Sequence, residues 1–322
     1  MIKVGIIGGA GYTAGELIRL LVNHPQVEIC FVNSGSNAGN KVSDVHGGLI
    51  GEIDLVFTEA LPLNTVELLF FCTAHGDTKK FMEAHELPET LKIVDLSTDY
   101  RPQPNDKGFL YGLPELNRDA LLNSKRVANP GCFATAIQLA VLPLAKANLL
   151  TNELHIHAIT GSTGAGQKPT STSHFSWRNN NVSVYKAFEH QHLAEICQSI
   201  TQLQAGFNQA INFIPMRGNF SRGIFVTAYT DCSLSLEEAK QLYADFYADA
   251  AFTFVSDTAI DLKQVINTNK ALLHIEKHGS KLLVTSAIDN LLKGASGQAV
   301  QNMNLICGLD EKSGLLLKSI GF

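Results

Sequence analysis

Residues 2–21 read IKVGIIGGAGYTAGELIRLL. Residues 2–7 form a short apolar run with strand character, residues 8–11 a glycine turn, and from Ala14 to Val22 apolar residues recur at helical spacing. Strand, glycine turn and helix in that order cradle a pyrophosphate. Small residues let the backbone approach the phosphates, and the helix turns its free amides and positive dipole end toward them. Apolar runs at 27–32, 66–72 and 91–96 follow, and the stretch 77–86 is able to hold a helix between the last two. That alternation predicts a doubly wound, parallel α/β sheet.

The texture changes near residue 150. Runs at 155–160, 213–230 and 281–288 read as strands, 236–250 as an amphipathic helix capped by Ser235, and the stretch from Gly297 as a last helix. The polar stretch 161–183 reads as a long loop, and loops of that length are usually functional. The expected organisation is a dinucleotide-binding domain from 1–131 and 297–322, with an α+β catalytic and dimerisation domain from 132–296.

Composition narrows the function classes. The chain has 322 residues, 45% of them hydrophobic, enough to build two cores. Its longest apolar runs, such as ELLFFC at 67–72, fall well short of the ~20 residues that cross a bilayer. The N-terminus runs straight into a strand pattern with neither a basic region nor a cleavage site, which predicts a cytoplasmic protein. The six cysteines are scattered, so neither a disulfide framework nor a metal site is expected, and most read as small core residues. A net charge of −5 without a basic stripe argues against nucleic acid and for a small-molecule substrate.

Gly8, Gly11, Tyr12 and Thr13 are the candidate phosphate cradle. After the second strand the chain reads Asn33-Ser34-Gly35-Ser36-Asn37, with Lys41 beyond and no carboxylate for a ribose 2′-hydroxyl. Ser34, Ser36 and Lys41 suit a 2′-phosphate, so the expected cofactor is NADP. In Asn129-Pro130-Gly131-Cys132 the Pro-Gly break places Cys132 where a helix begins. There a thiol is either a reactive nucleophile with backbone amides at hand for an oxyanion, or a buried core residue. A nucleophile needs a proton carrier, and His190 and His192 are the candidates. In an extended segment the two point to opposite faces, so at most one reaches Cys132. A dinucleotide site with a reactive cysteine suggests hydride transfer to or from a cysteine-bound acyl group.

The segments GGAGYTAGEL (8–17), SDVHGGL (43–49), VDLSTDYR (94–101), YGLPELN (111–117), ANPGCFAT (128–135), HQHLAEI (190–196), RGI (222–224) and DNLLKGASGQAVQNMN (289–304) together resemble the N-acetyl-gamma-glutamyl-phosphate reductase family. That resemblance implies a Rossmann-type first domain and a relation to aspartate-semialdehyde dehydrogenase. It also implies NADPH-dependent reduction of an N-acylated γ-glutamyl phosphate to the semialdehyde, on the way to arginine. By it Cys132 is the nucleophile that forms a thioester, and His190 the acid/base, with His192 in reserve. The chain departs from the family pattern at Gln191, where an Arg is usual, in the order Ala14-Gly15, and in lacking an arginine after the second strand.

Charge suggests the substrate anchors. A phosphate and a carboxylate need cations or amides, which Arg101, Arg217, Arg222 and the glycine-rich loop with Ser162 and Gly164 offer. Gln298 and Asn302 share a helix face suited to the cofactor or to the Cys132 segment. A homo-oligomer, dimer or tetramer, built on the strand-rich domain is expected. The alternatives are the same chemistry on another N-acyl group such as succinyl, aspartate-semialdehyde dehydrogenase, or a nucleotide-sensing protein that has lost turnover.

Overall fold

The computed structural model describes residues 1–321, which divide into two compact units. The first comprises Met1–Pro130 with Ala295–Leu316, the second Gly131–Gly294 with the chain from Leu317. This end differs from the boundary expected from sequence. The Lys318 carbonyl accepts Asn267 Nδ2 at 3.5 Å, a contact internal to the second unit.

The first unit is a six-stranded sheet of β1 (Ile2–Ile7), β2 (Val27–Asn33), β3 (Leu68–Phe71), β4 (Lys92–Asp95), β5 (Leu110–Tyr111) and β6 (Arg126–Ala128). Their order is β2-β1-β3-β4-β6-β5, and every pairing is parallel. Such strands are apolar on both faces: Leu68–Phe71 of β3 are all buried. Helices α1 (Tyr12–Leu21), α2 (Val42–Val45), α3 (Asp77–Ala84) and α4 (Pro114–Leu122) connect the strands. The chain leaves β1 for β2 on one side and returns to β3 on the other. The turn after β1 therefore lies at the switch point of the sheet, where α/β proteins bind ligands.

The second unit opens with α5 (Cys132–Lys146) and builds a mixed seven-stranded sheet. Its strands are β7 (Leu154–Thr160), β8 (Ser183–Val184), β9 (Ile211–Arg217), β10 (Ile224–Asp231), β11 (Thr253–Ser256), β12 (Ala271–His278) and β13 (Lys281–Ile288), in the order β11-β12-β13-β10-β7-β9-β8. Helices α6 (Phe175–Arg178), α7 (His192–Leu203) and α8 (Leu236–Phe246) complete it, and α9 (Gly297–Ile306) belongs to the first unit. Strict alternation sets the layers. In β7 and β10, Leu154, Ile156, Ala158, Ile224, Val226 and Ala228 are buried, while His155, His157, Ile159, Phe225, Thr227 and Tyr229 on the opposite face are half-buried. The buried face meets α5, which lies between the sheet and α7 and is buried all the way round from Phe133 to Ala145. Ser235 caps α8 in a capping box with Glu238, as its sequence signals.

The expected loop 161–183 contains a short turn at Ser162–Ala165, α6 and the edge strand β8. All six cysteines are free; only Cys232 is buried, Cys197 is exposed and the rest are half-buried, so most are not the core residues expected. Among the described residues no helix is long and apolar enough to cross a membrane.

Candidate active site

In the first unit, β1 runs into Gly8 at φ +80, a left-handed conformation that L side chains rarely adopt. Gly11 is the N-cap of α1 and no side chain caps that helix. A Cβ at Gly11 would meet nothing within 4 Å, so open space lies beside amides that have no capping side chain. His46 Nε2 backs the turn at 2.7 Å from the Gly9 carbonyl, and Ser296 Oγ donates to the Thr13 carbonyl at 2.7 Å. Tyr12 is exposed beside the cradle.

Beyond β2, Ser34 is buried while Ser36 and Lys41 are exposed. Asn37 Nδ2 donates to both serine hydroxyls, at 3.3 Å to Ser34 and 3.1 Å to Ser36. On α9, Gln298 is fully buried, yet both of its amide atoms lack a protein partner. Its neighbour Asn302 is committed, donating to the Gly112 carbonyl at 2.8 Å and Asn129 Oδ1 at 3.0 Å. An uncapped helix start, open space at Gly11 and an orphaned buried amide fit a dinucleotide.

In the second unit Cys132 is the first residue of α5, after the N-cap Gly131, which has no side chain to occupy the helix's free amides. Gly294 backs it so closely that a Cβ there would lie 2.8 Å from Cys132 Cβ. The next residue, Phe133, packs edge-on against His190 at 5.5 Å and His192 at 6.4 Å between ring centroids. In the first unit the Cys72 thiol is pushed up to about 12 by desolvation and then by the nearby Asp95 carboxylate.

The two histidines do not diverge. Gln191 is helical and His192 begins α7, so the segment is not extended, and the rings meet at 4.6 Å. Both are buried. Burial first, then the Lys186 charge, lowers the His190 pKa to about 4, so the imidazole is neutral near pH 7. The His192 N–H donates to His190 Nδ1 at 3.2 Å. That bond assigns the neutral ring's own proton to Nε2, which makes His190 a donor there.

Tyr185 reaches the same cluster, 5.8 Å from the His190 ring, and burial first, then the Cys132 charge, raises its pKa. The Arg217 guanidinium lies 4.6 Å over the Tyr185 ring, and its Nε has no partner. Arg178, buried on α6, donates to the Arg217 carbonyl at 2.6 Å, to the Thr172 carbonyl at 3.2 Å and to Ser183 Oγ at 3.1 Å, tying the segment to β9.

The other predicted anchors are differently placed. Arg222 grips Asp289 with two bonds, of 3.0 and 3.1 Å. Ser162 and Gly164 lie in a turn where Ser162 N–H donates to the Phe220 carbonyl at 2.8 Å and Asn290 Nδ2 to Thr163 Oγ1 at 3.0 Å. Arg101 belongs to the first unit, buried, its Nε donating to the Asn129 carbonyl at 2.8 Å and Nη2 to the Leu96 carbonyl at 2.9 Å. The structure thus gathers Cys132, His190, His192 and, through Tyr185, Arg217, while Arg222 and Arg101 hold backbone or carboxylate. Sequence reasoning missed Tyr185, Arg178 and Glu195. Only Glu195 carried a signal, three residues after His192 and so on the same helical face.

Two family models cover most of the chain: the NAD binding domain of semialdehyde dehydrogenase over residues 3–124 and the semialdehyde dehydrogenase dimerisation domain over 132–290. Among solved structures, an aspartate semialdehyde dehydrogenase II from Vibrio cholerae superposes with a TM-score of 0.74 at 14% identity, covering 96% of this chain and 98% of that one. One from Candida albicans, with NADP, gives 0.68 at 15% identity over 98% and 99%. Fold, glycine turn and domain matches define an oxidoreductase of the semialdehyde dehydrogenase class. Curated N-acetyl-gamma-glutamyl-phosphate reductases from Parabacteroides distasonis and Bacteroides thetaiotaomicron are 66% and 64% identical over the whole of both chains, and one from Flavobacterium johnsoniae 54%. The chain belongs to the N-acetyl-gamma-glutamyl-phosphate reductase family.

Proposed function

We propose that this chain reduces N-acetyl-L-glutamyl 5-phosphate to N-acetyl-L-glutamate 5-semialdehyde with NADPH, releasing phosphate, in the arginine pathway of the cytoplasm. The observation that carries the reading is Cys132 at the start of α5, with His190 and His192 packed on the adjoining Phe133 and Tyr185 against His190, in a member of this family. The thiol gives its proton to solvent, its sulfur bonds to the acyl carbon, and phosphate departs with the electron pair of the broken C–O bond. NADPH, when bound, would supply a hydride for reduction at the thioester carbon. The free amides of α5 and the His190 Nε2–H stabilise the negative oxygen that develops at each stage. Collapse of the thiohemiacetal breaks the C–S bond, returns the proton to sulfur and frees the aldehyde.

Gly8, Gly11, Tyr12 and Thr13 would hold the pyrophosphate, Ser34, Ser36 and Lys41 the 2′-phosphate, and Gln298 a polar group of the cofactor. Of the candidate anchors Arg217 has the least committed cation, so it takes a substrate anion. Arg222, bonded to Asp289, is a structural support in the second unit, and the Ser162–Gly164 turn offers amides. The half-buried residues Ile159 and Tyr229 on the sheet face opposite α5, in a semialdehyde dehydrogenase dimerisation domain, support a homo-oligomer assembled through the second unit.

The test is the reverse reaction: phosphate-dependent oxidation of N-acetylglutamate semialdehyde against aspartate semialdehyde, each with NADP and with NAD. The acetylated aldehyde with NADP should give the highest kcat/KM. Preference for aspartate semialdehyde would overturn the substrate, and equal use of NAD would overturn the assignment of Ser34, Ser36 and Lys41.

A further inference from the structure

Beside Cys132 stands a buried carboxylate to which the chemistry above gives no step. Glu195, on the first turn of α7, is 7% exposed. Its Oε2 accepts the Gly131 N–H at 2.9 Å, and its Oε1 lies 3.9 Å from His192 Nε2. The His192 ring presses on the same residue, since a Cβ at Gly131 would come within 2.3 Å of His192 Nε2. Gly131 is therefore held from two directions, by a hydrogen bond to its amide and by a ring against its α-carbon.

On charge alone this is a poor place for a carboxylate. A negative group near a thiol opposes the thiolate, and burying it is costly unless it is well bonded. What the carboxylate gains is a charge-assisted bond to the amide that precedes the nucleophile. Gly131 has no side chain to cap the first turn of α5, and Glu195 bonds the amide one position upstream of Cys132. The arrangement fixes the start of α5 from outside the helix, at the residue that precedes the nucleophile.

We propose that Glu195 is a positioning residue for Cys132: accepting the Gly131 N–H and backing His192 against the Gly131 α-carbon, it sets where the sulfur at the start of α5 meets the acyl carbon. The role rests on Cys132 being the nucleophile. It is a role of geometry, not of charge, and three variants separate the two. Glu195→Gln keeps an acceptor of the same reach without the charge. Glu195→Asp keeps the charge one methylene short, and Glu195→Ala keeps neither.

The readouts are kcat and KM, the rate of inactivation by iodoacetamide across a pH series, and NADPH binding followed by fluorescence. A misplacement of about 1 Å costs on the order of 10²-fold in rate. Glu195→Asp and Glu195→Ala should lose kcat toward that extent and alkylate more slowly, with KM and NADPH binding little changed. Glu195→Gln should stay close to the parent in kcat, with any shift in the pH profile of alkylation directed to lower pH by loss of the nearby negative charge. A Gln variant as impaired as Ala, an Asp variant as active as the parent, or a fall confined to KM would overturn the proposal. Parent enzyme that iodoacetamide fails to inactivate would overturn the nucleophile itself, and with it this role.

Discussion

Gly131→Ala isolates the contact on which the Cys132 site is built. The backbone of Gly131, at φ −71 and ψ 150, suits alanine, so the substitution brings no backbone strain. The main cost is steric. The new methyl would sit 2.3 Å from His192 Nε2 and 2.7 Å from Cδ2 and Cε1, so the ring must retreat by roughly 1 Å to reach an ordinary contact. It has little room, being 6% exposed and flanked by the rings of His190 and Phe133. Overpacking of this kind costs about 1–3 kcal/mol, and placing alanine at an N-cap adds a few tenths or more. For a unit of this size that lowers Tm by roughly 5–10 °C. The assay is a thermal and urea double-mutant cycle on the parent, Gly131→Ala, His192→Ala and the pair. Removing the ring should make the methyl nearly harmless, leaving a coupling of about 1–3 kcal/mol. If Gly131→Ala costs as much without His192 as with it, or costs nothing in the parent, the wedge is not what holds Gly131.

Gly11→Ala should lower Tm by only about 1–2 °C, the cost of alanine at an N-cap whose Cβ points into open space, while weakening NADPH binding measured by fluorescence titration; unchanged affinity would refute the cradle. Arg222→Ala strands the fully buried Asp289 with only backbone donors, including the Asn267 N–H at 2.8 Å, and should cost about 3–5 kcal/mol in denaturant unfolding. The His190 pKa near 4 lies below its ordinary 6.5, so the unfolded chain binds the extra proton first as pH falls. His190 should therefore contribute a loss of stability as pH drops from about 6.5 to about 4, of at most about 3 kcal/mol, and His190→Asn should flatten that part of the profile. The same variant should lower kcat by about 10²–10³ through loss of the Nε2 donor, and normal turnover would remove His190 from the chemistry.

The nucleotide-binding half was largely legible because its signals are local. The β-branched run of β1, the glycines that must follow it and the apolar spacing of α1 are read within 21 residues. The start of α5 at Cys132 was legible for the same reason, Pro130-Gly131 breaking the chain just before a helix-forming run. The histidine segment was not. Lys186 and Phe188 take left-handed backbone, at φ 46 and 62, which neither residue type announces, and the helix begins at His192 instead of the segment running extended. Arg222 resembled a free anchor because Asp289, which neutralises it, lies 67 residues away and meets it only through tertiary structure. Arg178 was equally silent, since its partners are largely backbone carbonyls that no side-chain pattern encodes.

The central claim is that Cys132 carries the acyl group. Enzyme mixed with N-acetylglutamyl phosphate in the absence of NADPH, quenched in acid and weighed intact and after digestion, tests it directly. Phosphate should be released once per chain, with the N-acetylglutamyl mass on the peptide bearing Cys132, lost on adding NADPH and never formed by Cys132→Ser. Phosphate released with no adduct, an adduct on another residue, or normal turnover by Cys132→Ser would contradict the account.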